Sequence, residues 1–180
     1  MISAEEVICI YQRLSKHGIR LWIIGGWGID ALLGAQTRSH KDLDVLVLVD
    51  DVARTRELLR RDGYRLKELW SENRSITDAQ GNEVATAFVL LDAEGREFDA
   101  HALRLDDQGH GIPAWEVPKG FVYQQDELAA RGTIAGVTVQ CITAEAQMRC
   151  HADYVLPDKH RRDLERLHER FGVVCPGGEG

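Results

Sequence analysis

Apolar residues recur at helical spacing near the start of the chain. Val7, Ile10 and Leu14 lie three or four residues apart, and Ser3 precedes them in the S-x-x-E arrangement of a capping box. Gly18 follows the repeat, as glycine commonly does at the end of a helix. This pattern predicts a first helix that begins after Ser3 and ends before Gly18.

Short apolar runs then alternate with polar connections. Residues 20–24 form a run of the length of a buried strand, and Gly25 and Gly26 interrupt it before a short helix predicted over 27–33. The strongest predicted strand covers residues 43–49, where six of the seven positions are apolar.

The following segments predict one more helix and a β-hairpin. Asp50 and Asp51 are suited to cap a helix that runs to Arg61. Residues 84–91 and 97–103 are rich in apolar side chains and flank the sequence D-A-E-G, which is typical of a turn. The remaining predicted segments are a loop over 106–120, a strand over 137–142, a helix from Thr143 to about Tyr154, and a last helix from Pro157 through Phe171.

The order of these elements predicts the fold class. Strands alternate with helices in the first half, a hairpin follows, and the last third is helical, which favours an α+β fold with a mixed β-sheet and flanking helices. We predict a core over residues 1–142, a small helical C-terminal part over 143–172 and a flexible tail over 173–180.

Length and composition are those of an ordinary globular domain. The chain has 180 residues, of which 44% are hydrophobic and 28% charged, and this suffices for one hydrophobic core. No apolar stretch approaches the roughly 20 residues that cross a bilayer. The N-terminus also lacks the basic start and apolar run of a signal peptide. The sequence therefore predicts a cytoplasmic protein with no membrane partner.

Net charge and cysteine spacing narrow the possible partners. The formal net charge of −7 argues against binding to a nucleic-acid backbone, which usually needs a basic face, and favours a cationic small substrate. The four cysteines show no C-x-x-C spacing. We therefore expect isolated, reduced thiols that are buried as small apolar groups.

Two carboxylates at the start of the strongest strand carry the candidate chemistry. Asp42 and Asp44 are two residues apart, so their side chains project from the same face of a strand while Leu43 points to the core. Two carboxylates this close repel each other unless a cation lies between them. Mg²⁺ is commonly held by one or two carboxylates together with substrate phosphates. The pair therefore predicts a magnesium–triphosphate site.

The glycine turn and three basic residues supply groups that a phosphate needs. Because Gly25 and Gly26 lack Cβ atoms, the backbone can approach a phosphate next to a helix N-terminus. Arg38, His40 and Lys41 lie just before the carboxylates and are suited to meet phosphate oxygens.

A third carboxylate completes the predicted site. Asp99 lies on the second strand of the hairpin, and two-metal phosphoryl transfer needs a further ligand that helps to remove the proton of the attacking oxygen. Each feature alone is most often structural, since a glycine pair is usually a turn and a lone aspartate usually a surface group. Their combination favours a catalytic site, because the carboxylates flank apolar runs where an uncompensated charge is costly.

These motifs resemble the signature of small antibiotic nucleotidyltransferases of the DNA polymerase β-like superfamily. The stretch L-W-I-I-G-G-W-G-I-D-A-L-L-G over 21–34, followed by T-R-S-H-K-D-L-D-V over 37–45, is most similar to lincosamide nucleotidyltransferases and next to aminoglycoside 2″-O-adenylyltransferases. Four later segments lean towards the lincosamide group: 98–101, 121–124, 141–147 and 151–167. The resemblance spans most of the chain.

The resemblance implies a polymerase β-like nucleotidyltransferase fold and a reaction. ATP is the implied donor, two Mg²⁺ ions are the implied cofactors, and a hydroxyl group of a lincosamide-like antibiotic is the implied acceptor, with release of pyrophosphate. Some relatives are dimers, so a homodimer is a further expectation.

The resemblance also implies a role for each motif residue. The implied phosphate-binding residues are Gly25, Gly26, Arg38 and, in the last helix, Lys159. The implied metal ligands are Asp42, Asp44 and Asp99, of which Asp99 also serves as the general base for the acceptor hydroxyl.

Three other functions stay open. The nearest is transfer of the same group to an aminoglycoside. A second is a relative of the fold that binds a nucleotide or a partner protein without turnover, which the loss of a metal carboxylate would support. A third is a toxin-type enzyme that modifies RNA, which would need a basic channel that the acidic composition does not favour.

Several neighbouring residues have both a structural and a functional interpretation. Trp22 and Trp27 are expected to pack in the core rather than stack on a nucleotide. His101 either lines the acceptor site or makes a structural hydrogen bond. Three acidic residues either meet a cationic acceptor or are ordinary surface charges, and the surface interpretation is preferred for all of them: Glu68, Glu72 and Asp78.

Overall fold

The computed structural model describes residues 1–151 and 157–174, which form a mixed β-sheet with flanking helices. The helices are α1 (Ala4–Lys16), α2 (Gly25–Leu33), α3 (Val52–Arg61), α4 (Ala144–Arg149) and α5 (Asp158–Phe171). The strands are β1 (Leu21–Ile23), β2 (Asp42–Leu48), β3 (Arg65–Leu69), β4 (Ser75–Thr77), β5 (Glu83–Ala85), β6 (Ala87–Leu91), β7 (Glu97–Leu105), β8 (Gly111–Pro113), β9 (Arg131–Ile134) and β10 (Val137–Gln140). The predicted α+β class is confirmed.

The main sheet has the strand order β1-β2-β7-β6-β3, and β8 pairs with the end of β7. Strands β2 and β7 run parallel, whereas the other neighbouring strands described in this sheet run antiparallel. Two smaller antiparallel pairs, β4–β5 and β9–β10, lie beside it. Because the central pair is parallel, the first residues of β2 lie next to the first residues of β7.

The two faces of β2 have different surroundings. One face is fully buried in a cluster that includes side chains from α1 and α3, and its β2 members are Leu43, Val45 and Val47. The other face begins with the two carboxylates and becomes apolar at Leu46, which packs with Trp22. The sheet therefore presents its charged groups at one end of a strand that is otherwise buried.

Both tryptophans near the glycines belong to the core, as predicted. Trp22 is 2% exposed and its indole N–H donates a hydrogen bond of 2.7 Å to the carbonyl of Leu128. Trp27 is buried against the ring of His40, with 4.7 Å between the ring centroids.

Two helices begin at the capping residues that the sequence predicts. The capping box at the start of α1 is confirmed: Ser3 Oγ accepts from Glu6 N at 3.3 Å, and Glu6 Oε2 accepts from Ser3 N at 2.7 Å. Thr143 caps α4 as predicted, since its hydroxyl accepts from Ala146 N at 3.3 Å.

Asp51 is the N-cap residue of α3, which ends at Arg61 as predicted, but the expected side-chain cap from Asp50 or Asp51 is absent. A 3₁₀ turn over Val49–Asp51 leads into α3, and the Asp51 side chain makes no capping hydrogen bond. The Asp50 carboxylate instead accepts from Ala79 N at 2.8 Å, so a tertiary contact takes the place of the cap.

Two strands were missed because their sequences carry turn signals or few apolar residues. The predicted loop over 106–120 contains β8, and no element was predicted over the residues of β9. Pro157 is the N-cap residue of α5, which ends at Phe171 as predicted. The prediction that the helix after Thr143 runs to about Tyr154 is wrong, because α4 ends at Arg149. Most of the predicted tail lies outside the described residues.

Candidate active site

The parallel pairing of β2 and β7 brings three carboxylates together. Asp44 is the register partner of Asp99, and Asp42 precedes Asp44 by two residues on the same face of β2. In the part of the chain that the structure describes, Asp42 and Asp44 make no direct hydrogen bond or salt bridge. These two carboxylates are therefore held next to Asp99 by the backbone alone.

All eight predicted site residues border one cavity of about 620 Å³. The predicted residues are Gly25, Gly26, Arg38, Asp42, Asp44, Asp99, His101 and Lys159. The cavity also has lining residues that the sequence analysis did not assign to the site, among them Trp70, Glu72, Gln147, His151, His160 and Asp163.

The start of α2 forms the wall that faces the carboxylates. Contrary to the prediction, the two glycines belong to the first turn of the helix rather than to a turn before it. Gly25 has a φ of +58°, and a Cβ atom there would overlap the carboxylate of Asp44. No side chain caps this helix start, so its first backbone N–H groups are free to bind an anion.

A second close approach occurs at the next position. A Cβ atom on Gly26 would overlap the ring of His40 and lie 2.7 Å from Nη2 of Arg38. Glycine is therefore required at both positions for packing reasons, and the same packing brings a guanidinium group to the helix N-terminus.

Arg38 is held in place by a residue far away in the sequence. Its Nε and Nη2 donate to Oδ2 of Asp163 at 2.9 and 2.7 Å, and the carboxylate of Asp163 is 3% exposed. Asp163 lies on α5, which therefore borders the cavity together with Lys159 of the same helix. The bidentate pair fixes the plane of the guanidinium group.

The expectation that His40 and Lys41 meet phosphate oxygens is wrong. His40 is 2% exposed, and its Nε2 lies 2.5 Å from Oδ2 of Asp30, which is equally buried. Lys41 pairs with Glu97 at 2.6 Å. Neither residue borders the cavity, so His40 packs behind the glycines and Lys41 lies on the surface.

Asp99 has the contacts expected of a positioned base. Its two carboxylate oxygens accept from the indole N–H of Trp70 at 3.0 and 3.1 Å, and His101 Nδ1 lies 3.5 Å from Oδ1. Burial raises the pKa of Asp99 to about 6, although His101 and the Trp70 hydrogen bond both act to lower it.

The pKa of Asp44 is raised well above its usual range. Burial is the main cause, followed by the negative charges of Asp42 and Asp99, while Lys159 and Arg38 act in the opposite direction. Asp44 and Asp99 therefore resist ionisation in the absence of a cation, as carboxylates of a divalent-metal site do.

Glu72 contradicts its interpretation as ordinary surface charge. It borders the cavity, and its Oε1 lies 3.4 Å from Nε2 of His101. Trp70 and Glu72 precede the β4–β5 pair, and only the tertiary pairing of β3 with β6 places them beside β7. No local sequence signal points to this position.

Three further findings concern metal ligation, membrane-spanning helices and the cysteines. Within residues 1–151 and 157–174, no three His, Cys, Asp or Glu side chains are arranged to hold a metal ion by themselves, and this includes Asp42, Asp44 and Asp99. The described helices include none that is long and apolar enough to cross a membrane. Cys9, Cys141 and Cys150 are free thiols, but Cys9 is exposed, contrary to the expectation that all are buried.

Comparison with known proteins gives a family and relatives of similar size. The model of the aminoglycoside-2″-adenylyltransferase family matches residues 6–167. A lincosamide resistance protein from Staphylococcus haemolyticus is 25% identical over 166 residues, which cover 92% of this chain and 94% of the relative. A 2″-aminoglycoside nucleotidyltransferase from Klebsiella pneumoniae is 30% identical over 148 residues, which cover 81% and 72%.

A solved structure agrees with these matches. The crystal structure of the lincosamide antibiotic adenylyltransferase LnuA with bound lincomycin has a TM-score of 0.75 and 25% identity, covering 92% of this chain and 96% of that one. The nucleotidyltransferase fold implied by the sequence motifs is thereby confirmed.

Proposed function

Because the chain belongs to the aminoglycoside-2″-adenylyltransferase family, we propose that it transfers AMP from ATP to a hydroxyl group of a lincosamide-like antibiotic and releases pyrophosphate. The observation that carries the proposal is the convergence of three carboxylates, an uncapped helix N-terminus and two cationic side chains on one cavity. This combination suits a metal-bound triphosphate.

The choice of acceptor is supported by the lengths of the relatives. The lincosamide resistance protein is matched over 94% of its length, whereas the aminoglycoside relative is matched over 72% and has additional sequence. A lincosamide is therefore the first acceptor to test. The identity of 30% and the family model favour an aminoglycoside as the second candidate.

The carboxylates that border the cavity are suitable ligands for magnesium. Asp42, Asp44 and Asp99 offer hard oxygen ligands, which is what Mg²⁺ prefers, and Mg²⁺ usually completes its coordination with water and substrate phosphates. We expect Asp42 and Asp44 to hold two ions and Asp99 to bind one of them. When bound, such ions neutralise the charge that develops on the transferred phosphoryl group and make the acceptor hydroxyl more acidic.

The helical wall suits the donor nucleotide. The N-terminus of α2, at Gly25 and Gly26, borders the cavity, and its backbone N–H groups suit the binding of an anion. Arg38 and Lys159 add positive charge near Asp44. These groups would bind and orient the triphosphate so that its α-phosphorus faces the carboxylates.

Asp99 suits the role of base. In the metal-free chain the pKa of Asp99 is about 6, so the carboxylate is mostly ionised at neutral pH and is available to accept the proton of the acceptor hydroxyl. The bifurcated hydrogen bond from Trp70 holds the carboxylate in one orientation. A relative that only binds nucleotide would have no need of this arrangement.

The proposed setting of the reaction follows from its donor. An enzyme that consumes ATP would act in the cytoplasm, and homodimer formation stays a prediction.

The test is product analysis with a panel of acceptors. The protein is incubated with ATP, Mg²⁺ and one of lincomycin, clindamycin or tobramycin, and each drug is examined by mass spectrometry. An adenylyl group on a lincosamide supports the proposal. Modification of tobramycin alone would keep the reaction and replace the acceptor, and an unmodified panel would contradict the antibiotic assignment.

A further inference from the structure

Five carboxylates border the cavity in the part of the chain that the structure describes, and four of them have a use in the proposed reaction. Asp42, Asp44 and Asp99 face the expected metal ions, and Asp163 is occupied by its bidentate pair with Arg38. The carboxylate of Glu72 remains. It lies close to His101, whose other ring nitrogen lies beside Asp99, and Trp70 contacts the same Asp99 carboxylate.

Backbone hydrogen bonds hold the connection between β3 and β4, which carries Glu72. Its carbonyl accepts from Glu116 N at 2.8 Å, and Trp70 N donates to Ala87 O at 3.1 Å. The next residue, Asn73, accepts through Oδ1 from the backbone N–H groups of Thr86 and Ala87 at 2.8 and 3.1 Å. These bonds tie the segment to the start of β6 and hold the backbone of Glu72 beside the cavity.

The side chain of Glu72 keeps room for another partner. Ser71 Oγ donates to Oε2 at 3.1 Å, and His101 Nε2 lies at a long 3.4 Å from Oε1, while a third of the side chain stays exposed. Burial acts to raise the pKa of Glu72, but the hydrogen bonds from its own backbone N–H, His101 and Ser71 outweigh burial and hold it below its usual range. The group is therefore an anion at neutral pH.

We propose that Glu72 binds an ammonium group of the acceptor and that the site prefers acceptors with a single cationic amine. The proposal rests on the function proposed above and specifies its substrate class. One imidazole ring, that of His101, spans the gap between Glu72 and the base Asp99. An ammonium group held at Glu72 therefore places the rest of a small acceptor within reach of Asp99, and the indole of Trp70 offers an apolar surface beside it.

The preference for one amine follows from charge pairing. A polyamine acceptor would bring further ammonium groups into the cavity. The other described carboxylates there are already engaged, three by the expected metal ions and one by Arg38. Each further ammonium group would lose hydration without gaining a partner, and this selects against such acceptors.

The competing role for Glu72 is a proton relay with His101 to Asp99. The two roles predict different kinetics. Loss of a binding contact raises the KM of the acceptor and leaves kcat nearly unchanged, whereas loss of a relay lowers kcat.

The experiment compares Glu72→Gln with Glu68→Gln, using lincomycin and ATP with Mg²⁺. Glu68 is an exposed residue of β3 that pairs with Lys67 and lies outside the cavity, so its variant controls for the loss of one negative charge. We expect Glu72→Gln to raise the KM of lincomycin about tenfold, with kcat and the KM of ATP within about twofold of wild type. Glu72→Asp keeps the charge and should recover part of the loss, while Glu68→Gln should match wild type.

The outcomes separate this inference from the function on which it rests. An unchanged lincomycin KM in Glu72→Gln, a fall in kcat alone, or equal kcat/KM of the wild type for tobramycin and lincomycin overturns the inference while the reaction stands. Failure of the folded wild-type protein to adenylylate lincomycin contradicts the proposed function itself. Thermal melts of each variant verify that the comparison concerns folded protein.

Discussion

At the scale of single residues, the site is a balance between charges that repel one another and the fold that holds them together. Asp44 and Asp99 lie opposite each other on two buried strands, and both have raised pKa values. In the absence of a cation, the folded chain must keep these carboxylates closer than the unfolded chain does. Repulsion between these carboxylates therefore lowers the free energy of unfolding of the metal-free protein.

The stability of the metal-free protein should therefore depend on the ionisation of Asp99. Its pKa is about 6 in the folded chain and about 4 in an unfolded one, so the folded state holds this proton more tightly. The stability contributed by protonation is complete below pH 4 and is lost as the pH rises through 6.

We expect Asp99→Asn, which cannot ionise, to raise Tm in EDTA by several degrees at pH 8 and to change it little at pH 4. Asp107→Asn, on the exposed surface, serves as the control. A lower Tm of Asp99→Asn at pH 8 would show that the Trp70 hydrogen bond outweighs the cost of the charge.

The same substitution should stop catalysis. Asp99→Asn keeps the size of the side chain but removes the proposed base and one negative metal ligand, so we expect kcat to fall by a factor of about 10² to 10⁴. Binding of ATP, measured by calorimetry without acceptor, should persist because the helical wall is intact. Near-normal turnover would require another base.

The positions of site residues could be predicted where they follow from the alternation of side chains along a strand. They could not be predicted where they depend on contacts between residues that are distant in the sequence. Asp42 and Asp44 share a face because strands have a period of two, and Asp99 is conspicuous among apolar neighbours. His40 was misplaced because its buried partner Asp30 lies on a helix whose packing no local pattern reveals. Glu72 was misplaced because only the β3–β6 pairing brings it to the cavity.

At the scale of elements, the position of α2 determines whether the helix N-terminus reaches the carboxylates. This helix packs on β9, where a Cβ atom on Gly132 would overlap the backbone of Ala31, with 2.7 Å to the Cβ atom of Ala31. The strand β9 was missed in the sequence because R-G-T-I has few apolar residues, and the same glycine that weakens the strand signal permits the close approach.

Gly132→Ala should therefore destabilise the protein. The added methyl group has to push β9 away from α2, and overpacking of this kind typically costs about 1–3 kcal/mol. Thr133→Ala, at the exposed neighbouring position of β9, is the matched control and should change Tm little. Equal melting temperatures for the two variants in thermal denaturation would contradict the close packing.

At the scale of the whole molecule, the C-terminal helix completes a site that begins in the first quarter of the chain. Arg38 and Asp163 are separated by 125 residues and joined by a bidentate pair, and this pair ties α5 to the cavity. The existence of the last helix was predicted from Pro157, which suits a helix start. Its docking against Arg38 was not, because long-range salt bridges leave no local pattern.

Asp163→Asn tests this connection through two effects of opposite sign. Removing a negative charge near the triphosphate favours ATP binding by simple electrostatics, whereas losing the bidentate pair frees Arg38 to move. We expect the loss of the Arg38 contact to outweigh the removal of the negative charge, so that the Kd for ATP rises about tenfold. Asp158→Asn, exposed on the same helix and paired with Arg161, should leave the Kd unchanged. Tighter ATP binding by Asp163→Asn would show that Arg38 needs no support.

The most direct test of nucleotidyl transfer at the three carboxylates follows a radioactive label. ATP labelled at the α-phosphate or at the γ-phosphate is incubated with lincomycin, Mg²⁺ and either wild type or Asp44→Asn. We expect wild type to move only the α-label to the drug and to release the γ-label as pyrophosphate, and Asp44→Asn to move neither. Transfer of the γ-label, or undiminished transfer by Asp44→Asn, would contradict the assignment.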